Sequence, residues 1–133
     1  MDNKLKEGVK YDDGKLRWSL VPGGPMREVV KVLMHGAAKY DDHNWAKVDN
    51  WRERYYNAAR RHLDEWWEGE SLDKESNLHH LAHAMCCLLF LMGKEEKDEE
   101  EFEHLTKFFP SVAMLEGIQP RTYFSTLGGK QCK

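Results

Sequence analysis

Between Arg61 and Met92 the chain reads RHLDEWWEGESLDKESNLHHLAHAMCCLLFLM. This stretch concentrates His62, Glu65, Glu68, Glu70, Asp73, Glu75, His79, His80 and His83. A helix end, a short loop and the start of a next helix can bring several of these within a few ångströms. Carboxylate oxygens suit Mg²⁺ or Mn²⁺, and imidazole widens the choice to Co²⁺, Zn²⁺ or Fe²⁺. A divalent ion held there would offset the charge of a polyphosphate and lower the pKa of an attacking water. Each piece also has a plainer reading. A lone core histidine is commonly just hydrogen-bonded to a carbonyl, and Glu65 and Glu68 on an exposed helix face are commonly just solvated. A zinc site from His80, His83 and Cys87, at i, i+3 and i+7, is a further arrangement. Structural zinc usually draws on two separated pairs, however, and no second pair stands elsewhere.

Basic residues recur beside aromatic ones upstream. KYDDGKLRW offers Lys10, Lys15, Arg17 and Trp18, and KYDDHNW offers Lys39, Tyr40, Asn44 and Trp45. Amine and guanidinium groups suit phosphate oxygens. Tyr and Trp rings stack on a base, and Asn can read a purine edge. The alternative is that the Trp residues anchor the core and the lysines snorkel beside them. GxxxxGK[ST], GxGxxG and GxSxG are absent, as is an adjacent His-Asp pair, which sets those enzyme classes aside.

Three helices are expected to position these groups. After VPGGP, Met26, Val29, Val30, Leu33, Met34 and Ala37 follow helical periodicity along one face. A second helix runs from the cap residues Asp49 or Asn50 to about Glu68, with Trp51, Tyr55, Ala58, Ala59, His62, Leu63 and Trp66 on its apolar face. A third begins after Asp73 and continues to Met92. Its Leu78, Leu81, Ala82, Met85, Leu88 and Leu89 share one face and His80, His83 and Cys87 another. Gly93 suits a C-terminal stop. Beyond it, KEEKDEEEFEHLTKFF is either a charged helix or a solvated extension. The expectation is an all-α helical bundle completed by oligomerisation. Residues 1–93 form its helical catalytic domain, with an irregular N-terminal segment. Residues 94–133 add a charged helix and a C-terminal arm packed on the same domain or on a neighbouring subunit.

Composition bounds the partners. The 133 residues suffice for one domain. A net charge of −3 gives no global basic field for nucleic acid. Phosphate handling would then need local cations or a metal. Cys86, Cys87 and Cys132 form no disulfide framework, pointing to a reducing compartment. Residues 1–15 lack the apolar stretch of a signal peptide, and the longest apolar run is too short to span a bilayer. The expected location is the cytoplasm, the host's if the chain is phage-encoded, with neither membrane nor nucleic acid as partner. Three helices make a thin core for a monomer, so a dimer or tetramer is expected.

KYDDGKLRWSLVP, VLMHGAAKYDDHNW and the Arg61–Leu91 stretch, in that order, resemble the phage dATP/dGTP diphosphohydrolase family, a MazG-like group. The resemblance covers roughly residues 9–92. It implies an α-helical pyrophosphohydrolase that splits purine deoxynucleoside triphosphates into monophosphate and pyrophosphate. In phages that replace adenine by 2-aminoadenine, such activity removes dATP and supplies dGMP. The family positions fall on His62, Glu70, Asp73, Glu75, His80 and His83, with Lys39, Tyr40, Asn44, Trp45 and Arg61 on the other motifs. Glu65 and His79 stand where the family varies and are set aside. The wider MazG-like pattern brings E-x-x-E and E-x-x-D to magnesium, whereas His80 and His83 occupy the i, i+3 pair here. On this reading Glu70, Asp73, Glu75, His62, His80 and His83 hold a divalent metal, Mg²⁺ first and Mn²⁺ or Co²⁺ as alternatives. Glu75, His80 and His83 are the catalytic candidates, with Glu75 the first choice to activate water. Lys15, Arg17, Lys39, Tyr40, Asn44, Trp45 and Arg61 bind the nucleotide. The competing readings are a non-enzymatic helical oligomeric interaction protein and a zinc-binding helical protein.

Overall fold

A computed structural model describes residues 7–108. The C-terminal arm expected beyond Phe108, with Cys132, lies outside the described residues. Three helices carry the fold: α1 (Gly23–Lys39), α2 (Trp51–Trp67) and α3 (His80–Phe108). Short 3-10 turns cover Trp18–Leu20 and Asn44–Lys47. The described residues contain no strand, only an isolated antiparallel bridge between Leu72 and His79. The all-α expectation therefore holds. No helix among the described residues is long and apolar enough to cross a membrane.

Helix α3 packs against both α1 and α2. The buried cluster is Val29 and Val32 from α1 with Ala82 and Cys86 from α3, and Met26, Leu78 and Phe90 close around it. Helix α1 thus buries the edge that carries Val29 and Val32, while Val30, Leu33 and Met34 stay exposed. Ala59 is the buried residue of α2.

The faces of α3 fall the other way round from a simple hydropathy reading. His80, Ala82, Ala84, Cys86 and Cys87 are buried, whereas Met85, Leu88, Leu89 and Met92 are exposed. Small residues let the neighbouring helices approach closely on the inner side. The imidazoles go in with them.

Both ends of α3 differ from expectation. Its start is delayed to His80 because Ser71–His79 forms a pinned loop. Asp73 N donates to Leu78 O at 2.8 Å, His80 N donates to Ser71 O at 2.9 Å, and Asn77 takes a left-handed φ of 57°. His79 then caps the helix, its Nδ1 accepting from Leu81 N at 3.1 Å, which satisfies one of the free amides of the first turn. At the other end, Gly93 does not stop the helix, which continues to Phe108. A side chain there would meet Trp45, since a Cβ would lie 2.8 Å from its Cη2 atom. The glycine is a seat for an indole.

That indole fixes the loop between α1 and α2. Trp45 stacks on Phe90 with centroids 5.3 Å apart, and Tyr55 Oη donates to Trp45 O at 3.1 Å. Lys97 covers the Trp45 ring at 5.1 Å.

Candidate functional site

A cavity of about 900 Å³ opens between the three helices and the loop that carries Trp45. Its walls mix apolar groups (Tyr55, Ala58, Cys87, Phe90) with the cations Lys39, Arg54 and Arg61. His62, Asp73, Glu75 and His83 complete one side. Lys39, Tyr40, Asn44, Trp45 and Arg61 therefore all reach the same cavity. Lys15 and Arg17 do not line it. Arg54 and Tyr55 are not among the site residues expected from the sequence, where Tyr55 reads as part of the apolar face of α2 and Arg54 as an ordinary helix residue.

At the edge of the cavity, α2 and α3 bring two i, i+3 pairs face to face: His62 with Glu65, and His80 with His83. His62 Nδ1 lies 2.9 Å from His80 Nδ1, and the His62 and His83 rings stack at 4.5 Å. Glu65 Oε2 is 3.3 Å from His80 Nδ1. On the far side of that ring, His80 Nε2 is buried without a hydrogen-bond partner, 3.9 Å from Glu70 Oε1. His80 itself is 1% exposed.

The loop supplies the remaining acid. Asp73 Oδ2 accepts from both Ser76 N and Ser76 Oγ at 2.8 Å, and Ser76 Oγ lies 2.7 Å from His83 Nε2. Burial raises the Asp73 carboxyl, but the two Ser76 bonds and the neighbouring His83 and His62 outweigh it, leaving the pKa below the ordinary value. Burial pushes His62 down, and His80 beside it adds to the effect. His83 is lowered by burial and then by His62. Both rings therefore favour the neutral form, which can accept a proton or ligate a metal.

Glu75 stands apart, its Oε1 held by Lys39 Nζ at 2.5 Å. The same bond raises Lys39 and lowers Glu75. Burial lifts the Cys86 thiol to about 12 and the Cys87 thiol to about 11, so neither is a thiolate at neutral pH.

Among the described residues, the group with ligand atoms close enough to share an ion is His62, Glu65, Asp73 and His80, all within 4.8 Å of one another. Two imidazole nitrogens with two carboxylates fit a divalent cation. Cys87 is not in this group, and neither are Glu70, Glu75 and His83. Glu65, set aside in the sequence, is inside it. Its signal was the i, i+3 spacing from His62, which puts both side chains on one helix face. Ser76 was also passed over, and its signal was the three-residue step from Asp73 that makes a side-chain turn.

Residues 6–104 match the family model described as dATP/dGTP diphosphohydrolase, N-terminal. The chain belongs to that family. It is also similar to a Salmonella phage PMBT28 protein named dATP/dGTP diphosphohydrolase, with 38% identity over 84 residues. The matched stretch covers 63% of this chain and 28% of the phage protein. No solved structure matches the chain. The matched family region contains every helix of the fold except the last four residues of α3.

Proposed function

We propose that this chain hydrolyses purine deoxynucleoside triphosphates, dATP and dGTP, to the monophosphate and pyrophosphate with a divalent cation. The observation that carries this reading is the meeting of two opposed charge sets at one cavity. His62, Glu65, Asp73 and His80 cluster at its edge, while Lys39, Arg54 and Arg61 line its wall. Membership of the diphosphohydrolase family and the named phage relative support the substrate class.

The cation, when bound, supplies positive charge beside the triphosphate and acidifies a water. The chain's own groups do the rest. Lys39 and Arg61 hold phosphate oxygens, where their charges count most as negative charge builds in the transition state. Lys39 leaves Glu75 to do so, and the freed Glu75 carboxylate accepts the proton of the water that attacks the α-phosphorus. The apolar wall of Tyr55, Ala58 and Phe90 excludes water from the base, and Asn44 offers an amide to its edge. In a phage that replaces adenine by 2-aminoadenine, this activity would remove dATP and supply dGMP.

Ion chromatography of products from dGTP tests the reaction. The expected products are dGMP and pyrophosphate, lost on adding EDTA. The appearance of dGDP and orthophosphate instead would place the attack at the γ-phosphorus and refute the reading.

The chain acts on this reading as a homo-oligomer. The exposed stripe of Met85, Leu88, Leu89 and Met92 on α3, beside a core built from small side chains, supports that. Light scattering of the purified chain reads it directly, and a monomer at micromolar concentration would end it. The same stripe would serve a non-enzymatic interaction protein. Thermal melting in EDTA, in Mn²⁺ and in Mn²⁺ with dGTP separates the two, because a nucleotide binder shifts its midpoint further when dGTP is added.

A further inference from the structure

We propose that Arg54 is a specificity-determining residue that reads the O6 and N7 acceptors of guanine, so that the cavity prefers dGTP to dATP. Asp49 is the positioning residue that aims it. This rests on the cavity being the nucleotide site and goes beyond that reading by choosing between the two purines.

The order of groups along α2 is the first ground. Arg54, Ala58 and Arg61 all line the cavity. Their spacings of four and three residues put them on one helix face. At 1.5 Å per residue, Arg54 lies about 10.5 Å along the axis from Arg61 and about 16.5 Å from Glu65. Phosphates held by Arg61 and Lys39, beside the cluster of acids and imidazoles, therefore leave Arg54 at the opposite end of the row. The nucleoside extends toward it. Ala58, between the two guanidinium groups, leaves room for a sugar and a base.

The aromatic surroundings are the second ground. Tyr55 Oη donates to Trp45 O, and Trp45 and Tyr55 both pack on Phe90, with centroids 5.3 Å and 5.1 Å from it. All three rings line the cavity, and Tyr55 is the next residue after Arg54. Ring faces receive a base whatever its sequence identity, so stacking alone does not choose between purines. A hydrogen-bonding group beside the rings has to do that.

Arg54 is built for that choice. Its Nη1 donates to Asp49 Oδ1 at 2.9 Å and to Asp49 O at 3.5 Å. Asp49 precedes the helix and does not line the cavity, so it holds the guanidinium from outside. The Nη2 and Nε groups remain as a fork of two donors. Guanine offers that fork two acceptors, O6 and N7, whereas adenine sets an N6 amino donor beside N7. A guanidinium has no acceptor for that donor.

The test uses the full chain with Mn²⁺ and compares kcat/KM for dGTP, dATP, 7-deaza-dGTP and 2-amino-dATP. The value for dGTP should exceed that for dATP by about 5- to 150-fold, the worth of one bidentate pair. The compound 7-deaza-dGTP lacks the N7 acceptor and should fall below dGTP. The compound 2-amino-dATP keeps the N2 amino group of guanine but has an amino group in place of O6, and it should behave like dATP. In Arg54→Gln the preference should vanish with the helical circular dichroism intact, because Gln pairs with adenine. Asp49→Ala should reduce the preference by raising KM for dGTP, and Asp49→Glu should restore part of it. Equal kcat/KM for dGTP and dATP in the wild type, 7-deaza-dGTP equal to dGTP, or an Arg54→Gln variant that loses the same factor on both nucleotides would each overturn the assignment. Wild-type selectivity in Asp49→Ala would remove Asp49 from it. Calorimetry with the α,β-methylene analogues of dGTP and dATP reads the ratio without turnover. A chain that binds the guanine analogue more tightly by the same factor yet hydrolyses neither nucleotide would sink the hydrolase reading and leave this one standing.

Discussion

Lys39 on the last turn of α1 and Glu75 in the loop before α3, separated by 36 positions, meet Nζ to Oε1 at 2.5 Å. The contact ties the one helix to the loop that carries Asp73 and Ser76, at the wall of the cavity. On the proposed function, it would give a cation that phosphate can claim and a carboxylate that is released when it does.

Substitutions on the two sides of this pair should separate in steady-state kinetics. If Lys39 binds phosphate as proposed, Lys39→Met should raise KM for dGTP by roughly tenfold with kcat less affected. If Glu75 accepts the proton as proposed, Glu75→Gln should lower kcat by about 10²-fold or more with little change in KM. Both variants should melt within a few degrees of the wild type, because exposed ion pairs add little stability. Identical effects on KM and kcat in the two variants would argue against the division of roles.

Glycine replacements offer a test of packing with opposite signs. Gly36 in α1 has open space around its Cα, so Gly36→Ala should stabilise the chain by about 0.5–1 kcal/mol. Gly93→Ala gains the same backbone benefit but drives a methyl into the Trp45 ring. Overpacking of this kind costs roughly 1–3 kcal/mol, so the net effect should be destabilising. Urea denaturation of both variants reads the difference.

Stability of the metal-free chain should fall as the pH is lowered from 7.5 to 5.5. His62 and His83 are both held below the ordinary histidine value of 6.5, chiefly by burial. Below that value the unfolded chain takes up protons that the folded chain resists, so folding loses ground. The lowered Asp73 carboxyl acts in the same direction at more acid pH. Melting in EDTA across this range checks the slope, and His83→Gln should flatten it. A midpoint that rises on acidification would contradict the burial of these rings.

Cys86 and Cys87 should resist alkylation. Both are buried, with thiols raised to about 12 and about 11. Since the thiolate is the reactive form, iodoacetamide at pH 8 should leave both unmodified until urea is added. Mass spectrometry of the digested chain reports each position.

The sequence made the helices legible more readily than their ends and inner faces. The run from Met26 to Ala37 locates α1 because periodicity is a local signal, and α2 starts after Asn50 as expected, although the Asn50 side chain makes no capping bond. The start of α3 depends on Asp73, Ser76 and Asn77 closing a loop, and Gly93 continues a helix because a tryptophan from another segment lies on it. Only the first leaves a local trace, the three-residue step from Asp73 to Ser76. Which of the two faces of α3 turns inward is not a local signal either. Leucines look like core, but close helix approach rewards alanine and cysteine, and the imidazoles came with them. In the site, His62, Asp73 and His80 stood out by type. Glu65 did not, because a glutamate on an amphipathic helix is indistinguishable from a solvated one until the facing helix is in place.

The loop from Leu72 to His79 is closed at its base by the bridge between those two residues and by the Asp73–Leu78 and Ser71–His80 backbone bonds. Its residue count is therefore a fixed dimension of the protein. One extra residue inside it would move Asp73 off its alignment with His62 or shift the register of the first turn of α3. Insertions and deletions among variants of this chain should spare these eight positions and accumulate elsewhere.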